Sequence, residues 1–416
     1  MEKFFPIVTD TSCRLKWSWS TIYLNTGTTA SCHRASTSLI PEDFAQFHNT
    51  PEKKNDRAQM LRGEWPGNGC EYCKNIEDAG GVSERQFQNK IPEVYPSELN
   101  NNQTLVEVDP AIVEVFFANT CNLGCVYCNA SLSSAIQMED QTHGGPKIPG
   151  LEFVPTQNKY RNFNEKFWDW LQQHSKKIQR FHILGGEPFL QKDFRRLLDF
   201  FESTEHPQLE FSVVTNLSLN NKLLSPMLQR LAELKINNKV KRIDLQVSID
   251  SWHKSQEYVR YGLDLDVFDQ NMQFLLDSGA YRIGLLSTVS SLTINGMPEL
   301  AQKYIEWNKT NTIFWYMILV LPNNTSVFDP TIFDYEVFEQ SLNLTRELLP
   351  KQTWDDQRTL EVFDGVVSKL KNNCKNNIPR QLQLLDFLKI NDKRRNTSWQ
   401  QEFPWLVDVF KKNNVV

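Results

Sequence analysis

Cys121-Asn122-Leu123-Gly124-Cys125-Val126-Tyr127-Cys128 places three thiols, four and three positions apart, on one short stretch. Strand-forming residues, Val113–Thr120, precede it, so the cysteines are expected where a strand ends and a loop begins. Thiolates at that spacing wrap around one metal centre, and three are one short of the four that close a zinc or iron–sulfur site. Either a fourth ligand comes from elsewhere in the chain, or one metal is left open to chemistry. A zinc ion completed by a histidine, or a redox thiol pair, is the plainer reading of the same residues.

Four further cysteines, Cys13, Cys32, Cys70 and Cys73, lie among the turn formers Thr26-Gly27-Thr28-Thr29 and Trp65-Pro66-Gly67-Asn68-Gly69. Cys70-Glu71-Tyr72-Cys73 makes a tight two-ligand corner, and the four together make one complete tetrathiolate site. Zinc and a 4Fe–4S cluster can each be held in that way, and both readings stand at this point. His33 is expected to be a surface or hydrogen-bonded histidine, and Trp17, Trp19 and Tyr72 to be packing. Seven of the eight cysteines precede residue 130; Cys374, in a polar run, reads as an incidental thiol.

The elements that must position these residues follow from the apolar pattern. Strands are expected at Val113–Asn119, Ile178–Leu184, Leu209–Thr215, Arg242–Ile249, Arg282–Val289 and Ile313–Leu321. Helical spacing marks Glu165–Ser175, Asp193–Ser203, Lys222–Lys235, Val267–Ser278 and Met297–Trp307 between them. Strands this apolar suit burial on both faces and parallel pairing, so the fold class is α/β, an open or partial (β/α)6 barrel. In such a fold function gathers on the loops at the C-terminal strand ends. There lie the cysteine loop, Gly185-Gly186-Glu187-Pro188, Asn216, and Ser248 with Asp250.

Around this barrel, taken as residues 111–325, the chain divides into a Cys-rich module at 1–95 and a helical extension at 330–416. The module has a short strand candidate at Ile22–Leu24, a helix at Lys54–Arg62, and too little periodic apolar sequence to stabilise itself by burial alone. In the extension, helices are expected near Tyr335–Leu349, Arg358–Lys371 and Arg380–Leu388, with a basic-polar tail from Asp392 to Trp399.

At 416 residues, 40% hydrophobic and 23% charged, the chain has the composition of an ordinary soluble protein. Its net charge of −5, without a long basic block, gives no sign of a sequence-independent grip on nucleic acid. The apolar run at the N-terminus is too short for a signal peptide, and no stretch approaches a membrane span, so a cytoplasmic location is expected. In that compartment eight cysteines point to metal ligation rather than disulfides.

The Cys-x3-Cys-x2-Cys spacing after a first strand, with Tyr127 before the last cysteine, resembles the signature of the radical S-adenosylmethionine superfamily. Gly185-Gly186-Glu187-Pro188 resembles that superfamily's Gly-Gly-Glu motif. The resemblance covers about residues 111–325 and implies a 4Fe–4S cluster on Cys121, Cys125 and Cys128, its open iron chelating S-adenosylmethionine. An electron from the cluster then cleaves the cofactor to a 5′-deoxyadenosyl radical, which abstracts a hydrogen atom from substrate. By the same resemblance Gly185 and Gly186 bring the backbone close, Glu187 takes the cofactor's ammonium, and Asn216, Ser248 and Asp250 approach its ribose and carboxylate. The backbone at Tyr127 and residues near Leu319–Pro322 would line the adenine. The family's Gly-x-Ile-x-Gly motif has no counterpart around Val289–Asn295.

Cys13-x3-Trp17, Gly27, Cys32, Cys70-x2-Cys73 and then Glu77, Gly80, Ser83 and Arg85 resemble an auxiliary-cluster module of the twitch/SPASM kind, here preceding the barrel. Asp392-Lys393-Arg394-Arg395 and Phe403-Pro404 are similar to endings in the same group. That implies a second 4Fe–4S cluster, an external electron donor such as flavodoxin or ferredoxin, and a peptide or protein side chain as substrate. A dehydrogenase or epimerase of a sugar-like small molecule is the alternative, and a non-catalytic zinc-binding protein on a degenerate barrel is the alternative of another class. No catalytic residue beyond the cluster is named by the sequence.

Overall fold

Arg282–Val289, alternating and apolar, folds as a strand, and Met297–Trp307, amphipathic with a proline in its first turn, folds as the helix after it. The computed structural model describes residues 5–7, 9–78, 80, 83–90, 94–148, 161–309, 313–320 and 327–416. Eleven strands are seen among them: β1 Trp19–Tyr23, β2 Thr28–Ala30, β3 Ser38–Leu39, β4 Ile112–Phe116, β5 Gly124–Cys125, β6 Arg180–Leu184, β7 His206–Thr215, β8 Val240–Ser248, β9 Arg260–Tyr261, β10 Arg282–Val289 and β11 Ile313–Leu319. All six expected strands form, β4, β6, β7, β8, β10 and β11, with helices Arg161–His174, Lys192–Ser203, Asn221–Ile236, Leu265–Ser278 and Met297–Trp307 between them. This is a mixed α/β fold with parallel pairing, that of a partial β/α barrel, and its C-terminal region is helical. Leu321, the end expected for the last strand, lies outside the described residues, as do the last two residues of Leu319–Pro322.

Two compact units make up the chain. The first comprises Met1–Asn119, Val154–Val213 and Leu234–Ile243. Its strands run in the order β3-β2-β1-β4-β6-β7. β1 lies parallel to β4, with Trp19 opposite Ile112 and Tyr23 opposite Phe116, and β6 continues the parallel register with His182 opposite Glu114. β2 and β3 add an antiparallel edge. The N-terminal cysteine segment therefore supplies sheet strands, and it also buries an apolar cluster of Phe5, Ile7, Leu15, Trp17, Met60 and Tyr95. Burial contributes more to this segment than its sparse apolar periodicity suggests, because aromatic residues distant in sequence converge on it.

The second unit comprises Thr120–Phe153, Val214–Glu233 and Asp244–Val416. β8, β10 and β11 pair in parallel, and the two-residue strands β5 and β9 pair antiparallel. Glu336–Leu348, Trp354–Asn373, Ile378–Arg395, Trp399–Glu402 and Pro404–Lys412 are helical. The stretch read as a basic-polar tail is thus the last turn of Ile378–Arg395, closed by Asn396 in the left-handed region at φ 53°. Its cations suit the helix's C-terminal end and find carboxylates there, which a tail in solvent would lack. These units divide the chain differently from the three parts read in the sequence. Among the described residues no helix is long and apolar enough to cross a membrane.

Candidate functional site

The cysteine loop is fastened from both ends of its own sequence. Cys121 N donates to Ser134 Oγ at 3.0 Å, and Ser133 Oγ donates to Leu123 O at 2.7 Å while capping the helix Ser134–Thr142. Farther along, β5 pairs with β9 so that Gly124 faces Tyr261 and Cys125 faces Arg260, and Val126 N donates to Val259 O at 2.8 Å. Cys121, Cys125 and Cys128 each remain part-exposed on this braced turn. Two of them hold their protons as free thiols: burial pushes Cys128 up to about 12, with Cys125 adding to it, and burial also raises Cys125 against the pull of Arg260. A metal, by contrast, takes the thiolate and releases the proton, which is the chemistry this donor set fits.

Asp250 holds the loop rather than standing open to a ligand. It is buried, and its carboxylate accepts from four residues: Tyr127 Oη at 2.6 Å, Gln256 Nε2 at 3.2 Å, Arg260 Nε and Nη2 at 2.8 Å each, and Thr288 N at 2.8 Å. The arginine fork and the carboxylate form a bidentate pair buried on both sides. Burial opposes the Arg260 charge, but Asp250 outweighs it and holds the guanidinium well above its ordinary value. Tyr127, whose phenol burial pushes well up, is locked into the same knot. Asn216 Nδ2 reaches Asn122 Oδ1 at 3.0 Å and Cys121 Sγ at 3.9 Å, so this side chain too supports the loop. Ser248 ends β8 part-exposed.

Residues 115–306, which contain this loop, match the family model described as Radical SAM superfamily. Over that segment the chain is similar to the radical SAM superfamily. Over 202 residues it is 25% identical to the radical SAM cyclopropyl synthase TigE of Paramaledivibacter caminithermalis, a match over 46% of this chain and 39% of TigE. The chain thus spans about two fifths of the length of that curated relative. Among solved structures, Streptococcus suis SuiB bound to S-adenosylmethionine is similar at a TM-score of 0.40 and 14% identity, covering 79% of this chain and 68% of SuiB. The native anSMEcpe structure with bound AdoMet is similar at 0.37 and 14%, covering 66% of each chain. At TM-scores this low the solved structures carry no part of the assignment.

The Gly185–Pro188 corner sits in the first unit. Gly185 has φ +84° and Gly186 φ +55°, and a Cβ on Gly185 would meet the Phe116 ring at 2.2 Å, so only glycine fits there. Glu187 is buried and accepts from Phe189 N at 3.2 Å, capping the turn Pro188–Leu190. Gln191, which sequence reasoning passed over, ties the corner down through Gly185 O at 2.7 Å and Ala118 O at 3.2 Å.

Three of the four N-terminal cysteines meet one apolar cluster in that same unit. Cys13 and Cys70 are buried in the aromatic cluster, and Cys32 packs against it. Cys73, part-exposed, follows on the helix Glu71–Asp78. Arg85 connects the ends of the set: its Nη1 donates to Ser12 O at 2.7 Å, beside Cys13, and its Nε to Glu77 at 3.0 Å, on the helix carrying Cys73. Ser83 donates to the same glutamate. The sequence flagged Glu77, Ser83 and Arg85 as a pattern; the structure makes them a strut. His33 is hydrogen-bonded, to the buried Glu114 at 2.9 Å, which Thr21 Oγ1 also reaches at 2.8 Å.

Buried cations surround this site, and no sequence signal announced them. Lys16 Nζ pairs with Asp56 at 2.6 Å and is also within hydrogen-bonding reach of Cys70. Lys53 is buried with four uncharged acceptors, Ser20 Oγ, Thr29 Oγ1, Ala30 O and Phe47 O. Arg57, lowered to about 9 by burial, donates to the carbonyls of Lys16, Val106 and His48 and to Asn49 Oδ1. Lys53 and Arg57 lie on the helix Pro51–Leu61, whose polar composition reads as solvent-facing. As free thiols, Cys13 is pushed up to about 12 and Cys70 to about 11, burial being the first cause in each. Among the described residues no group of three or more His, Cys, Asp or Glu side chains is drawn in as around a single metal ion.

Proposed function

We propose that the chain is a radical SAM enzyme whose Cys121, Cys125 and Cys128 hold a 4Fe–4S cluster that binds S-adenosylmethionine at its open iron. The observation that carries this is three thiols on one braced loop inside the segment that matches the family. When bound, the cluster supplies the electron that splits S-adenosylmethionine into methionine and a 5′-deoxyadenosyl radical, which takes a hydrogen atom from the substrate. The protein's own part is to orient and exclude water. Arg260 and Asp250 fix Tyr127, and with β9 they fix the strand of Cys125. Gly185 and Gly186 permit the close backbone approach the cofactor needs, and Ser248 remains available to it. Asp250, with its oxygens already taken, is assigned to holding the loop instead of the cofactor.

Cys13, Cys32, Cys70 and Cys73 are proposed to hold a second 4Fe–4S cluster. Charge supports a metal there. Protonated thiols would leave buried Lys16 and Lys53 with Asp56 as the nearby carboxylate, whereas a metal-bound tetrathiolate is an anion that offsets them. The substrate proposed is a peptide or protein side chain, following the auxiliary-cluster resemblance, with an electron donor such as flavodoxin or ferredoxin, in the cytoplasm. Metal analysis of the anaerobically purified chain is the test. About eight irons per chain and 5′-deoxyadenosine under reductant are expected if both sites hold four-iron clusters. Colourless protein with stoichiometric zinc and no 5′-deoxyadenosine would replace this reading with a zinc-stabilised binding protein.

A further inference from the structure

The last residue of the helix Ile378–Arg395 reaches the cysteine loop from the far end of the sequence. The Arg395 side chain is 2% exposed; Nε and Nη2 bind Glu139 at 3.2 and 2.7 Å, and the guanidinium lies 4.6 Å over the ring of Tyr261. Glu139 belongs to the helix whose start anchors Cys121 and Leu123, and Tyr261 belongs to β9, which pairs with the strand of Cys125. Arg395 therefore closes a ring of contacts around the loop. Gly124 completes it: a Cβ there would sit 2.8 Å from Arg395 Nη2, so the loop backbone and the arginine are in direct apposition.

Two features go beyond bracing. Arg395 Nη1 is buried and has no acceptor among the described residues, a costly condition for a charged donor. Glu139, moreover, is shared with Lys147 at 3.2 Å, so one carboxylate faces two cations beside Gly124. Arg394, next in the chain, is already paired with Asp140 at 3.0 Å and adds nothing to the excess. A buried cation that shares its one carboxylate with a second cation and keeps a spare N–H is suited to an anionic, sulfur-rich neighbour, and net charge and hydrogen bonding to sulfur are what set a cluster's potential.

We infer that Arg395 is a positioning residue for the cysteine loop, and that its charge raises the reduction potential of the cluster held there. This rests on the cluster assignment to Cys121, Cys125 and Cys128. Reduction adds one negative charge to the cluster, so a fixed buried cation stabilises the reduced form over the oxidised one. The test compares anaerobically reconstituted wild-type, Arg395→Met and Arg395→Lys chains, all poised at the wild-type midpoint. The reduced cluster is counted by electron paramagnetic resonance, the signal that moves on adding S-adenosylmethionine being taken as that of the loop. Arg395→Met should hold about tenfold less reduced relative to oxidised cluster, equal to about 59 mV for one electron. Arg395→Lys, which keeps the charge, should stay close to wild type. A methionine variant with full iron and an unchanged reduced fraction overturns the inference. If the methionine variant loses the loop's iron, lysine decides: iron and reduced fraction kept support it, and equal loss overturns it in favour of a purely structural arginine. A wild-type chain with iron but no signal sensitive to S-adenosylmethionine removes the functional reading itself, which tells the two failures apart.

Discussion

The two cysteine sites solve the same electrostatic problem in opposite ways. Around Cys121, Cys125 and Cys128 each buried arginine has a carboxylate partner, Arg260 with Asp250 and Arg395 with Glu139, although Glu139 is shared with Lys147. Around Cys13, Cys32, Cys70 and Cys73 the cations outnumber the carboxylates, and Lys53 and Arg57 lean on neutral carbonyls and hydroxyls. A paired ion such as Arg260 with Asp250 is stable with or without a ligand nearby, so the loop can keep its shape whether or not its thiols are occupied. Burial first, and then Arg57, pushes the Lys53 ammonium well below its ordinary value, so keeping its charge among neutral oxygens calls for an anion nearby. On the proposed assignment, that difference suits the first site to exchange and the second to permanent occupation.

Cysteine substitutions test that contrast most severely. Cys125→Ala should abolish 5′-deoxyadenosine formation under reductant while the chain stays soluble. Cys70→Ala should leave cofactor cleavage measurable but lower the denaturation midpoint, because the buried cations of the first unit would lose the anion proposed for the four thiolates. If Cys125→Ala still makes 5′-deoxyadenosine, or the two variants behave alike, the division of labour is wrong. Next in size is Arg260→Met. It strands Asp250 as a buried, unpaired carboxylate, and breaking such a pair costs about 3–5 kcal/mol. Chemical denaturation of the loaded chain reads this out; a loss under about 1 kcal/mol would mean the pair is not what holds the loop.

What could be read from the sequence was what is local. Three thiols on eight residues, two glycines before Glu187, and strands whose apolar runs alternate with amphipathic helices all carry their meaning within one window. Strand and helix ends came within a few residues, and Arg282–Val289 and Met297–Trp307 coincide with the pattern. The supports were not legible, because they join distant residues: Arg395 and Glu139 are 256 positions apart, and Lys16 and Asp56 are 40 apart. Asp250 shows the limit best. Its place at a strand end suggests a ligand contact, and only the convergence of Tyr127, Arg260 and Thr288 reveals a carboxylate with no lone pair to spare. Arg394 and Arg395 were read as tail for the same reason, since their charges look solvent-bound until Glu139 and Asp140 are set beside them.

Smaller effects sharpen the comparison from each side. In the loop, Gly124→Ala drives a methyl against an arginine that Glu139 holds in place, an overpacking expected to cost about 1–3 kcal/mol. Loss of the loop's iron with the first unit's stability unchanged is the expected pattern; a neutral effect on both would show that Arg395 can swing aside.

In the N-terminal site the corresponding probe is His48. Its Nε2 donates to Trp17 O at 2.9 Å, which leaves Nδ1 to accept from Ser20 Oγ at 2.8 Å, the same hydroxyl that receives Lys53. Burial first, and then Arg57 and Lys53, hold this imidazole well below its ordinary value. The unfolded chain therefore takes up a proton near pH 6.5 that the folded chain refuses, and stability must fall as the pH drops below that value. The slope reaches about 1.4 kcal/mol per pH unit and ends at the depressed folded value. His48→Gln keeps a donor for Trp17 O and an acceptor for Ser20 but has no proton to bind, so it should flatten this part of the curve. Denaturation midpoints of wild type and variant at about pH 7 and about pH 5.5, either side of the ordinary imidazole value, decide it. Parallel falls in the two would mean that His48 is not held neutral in the folded chain, so that neither its burial nor the neighbouring cations keep its proton off.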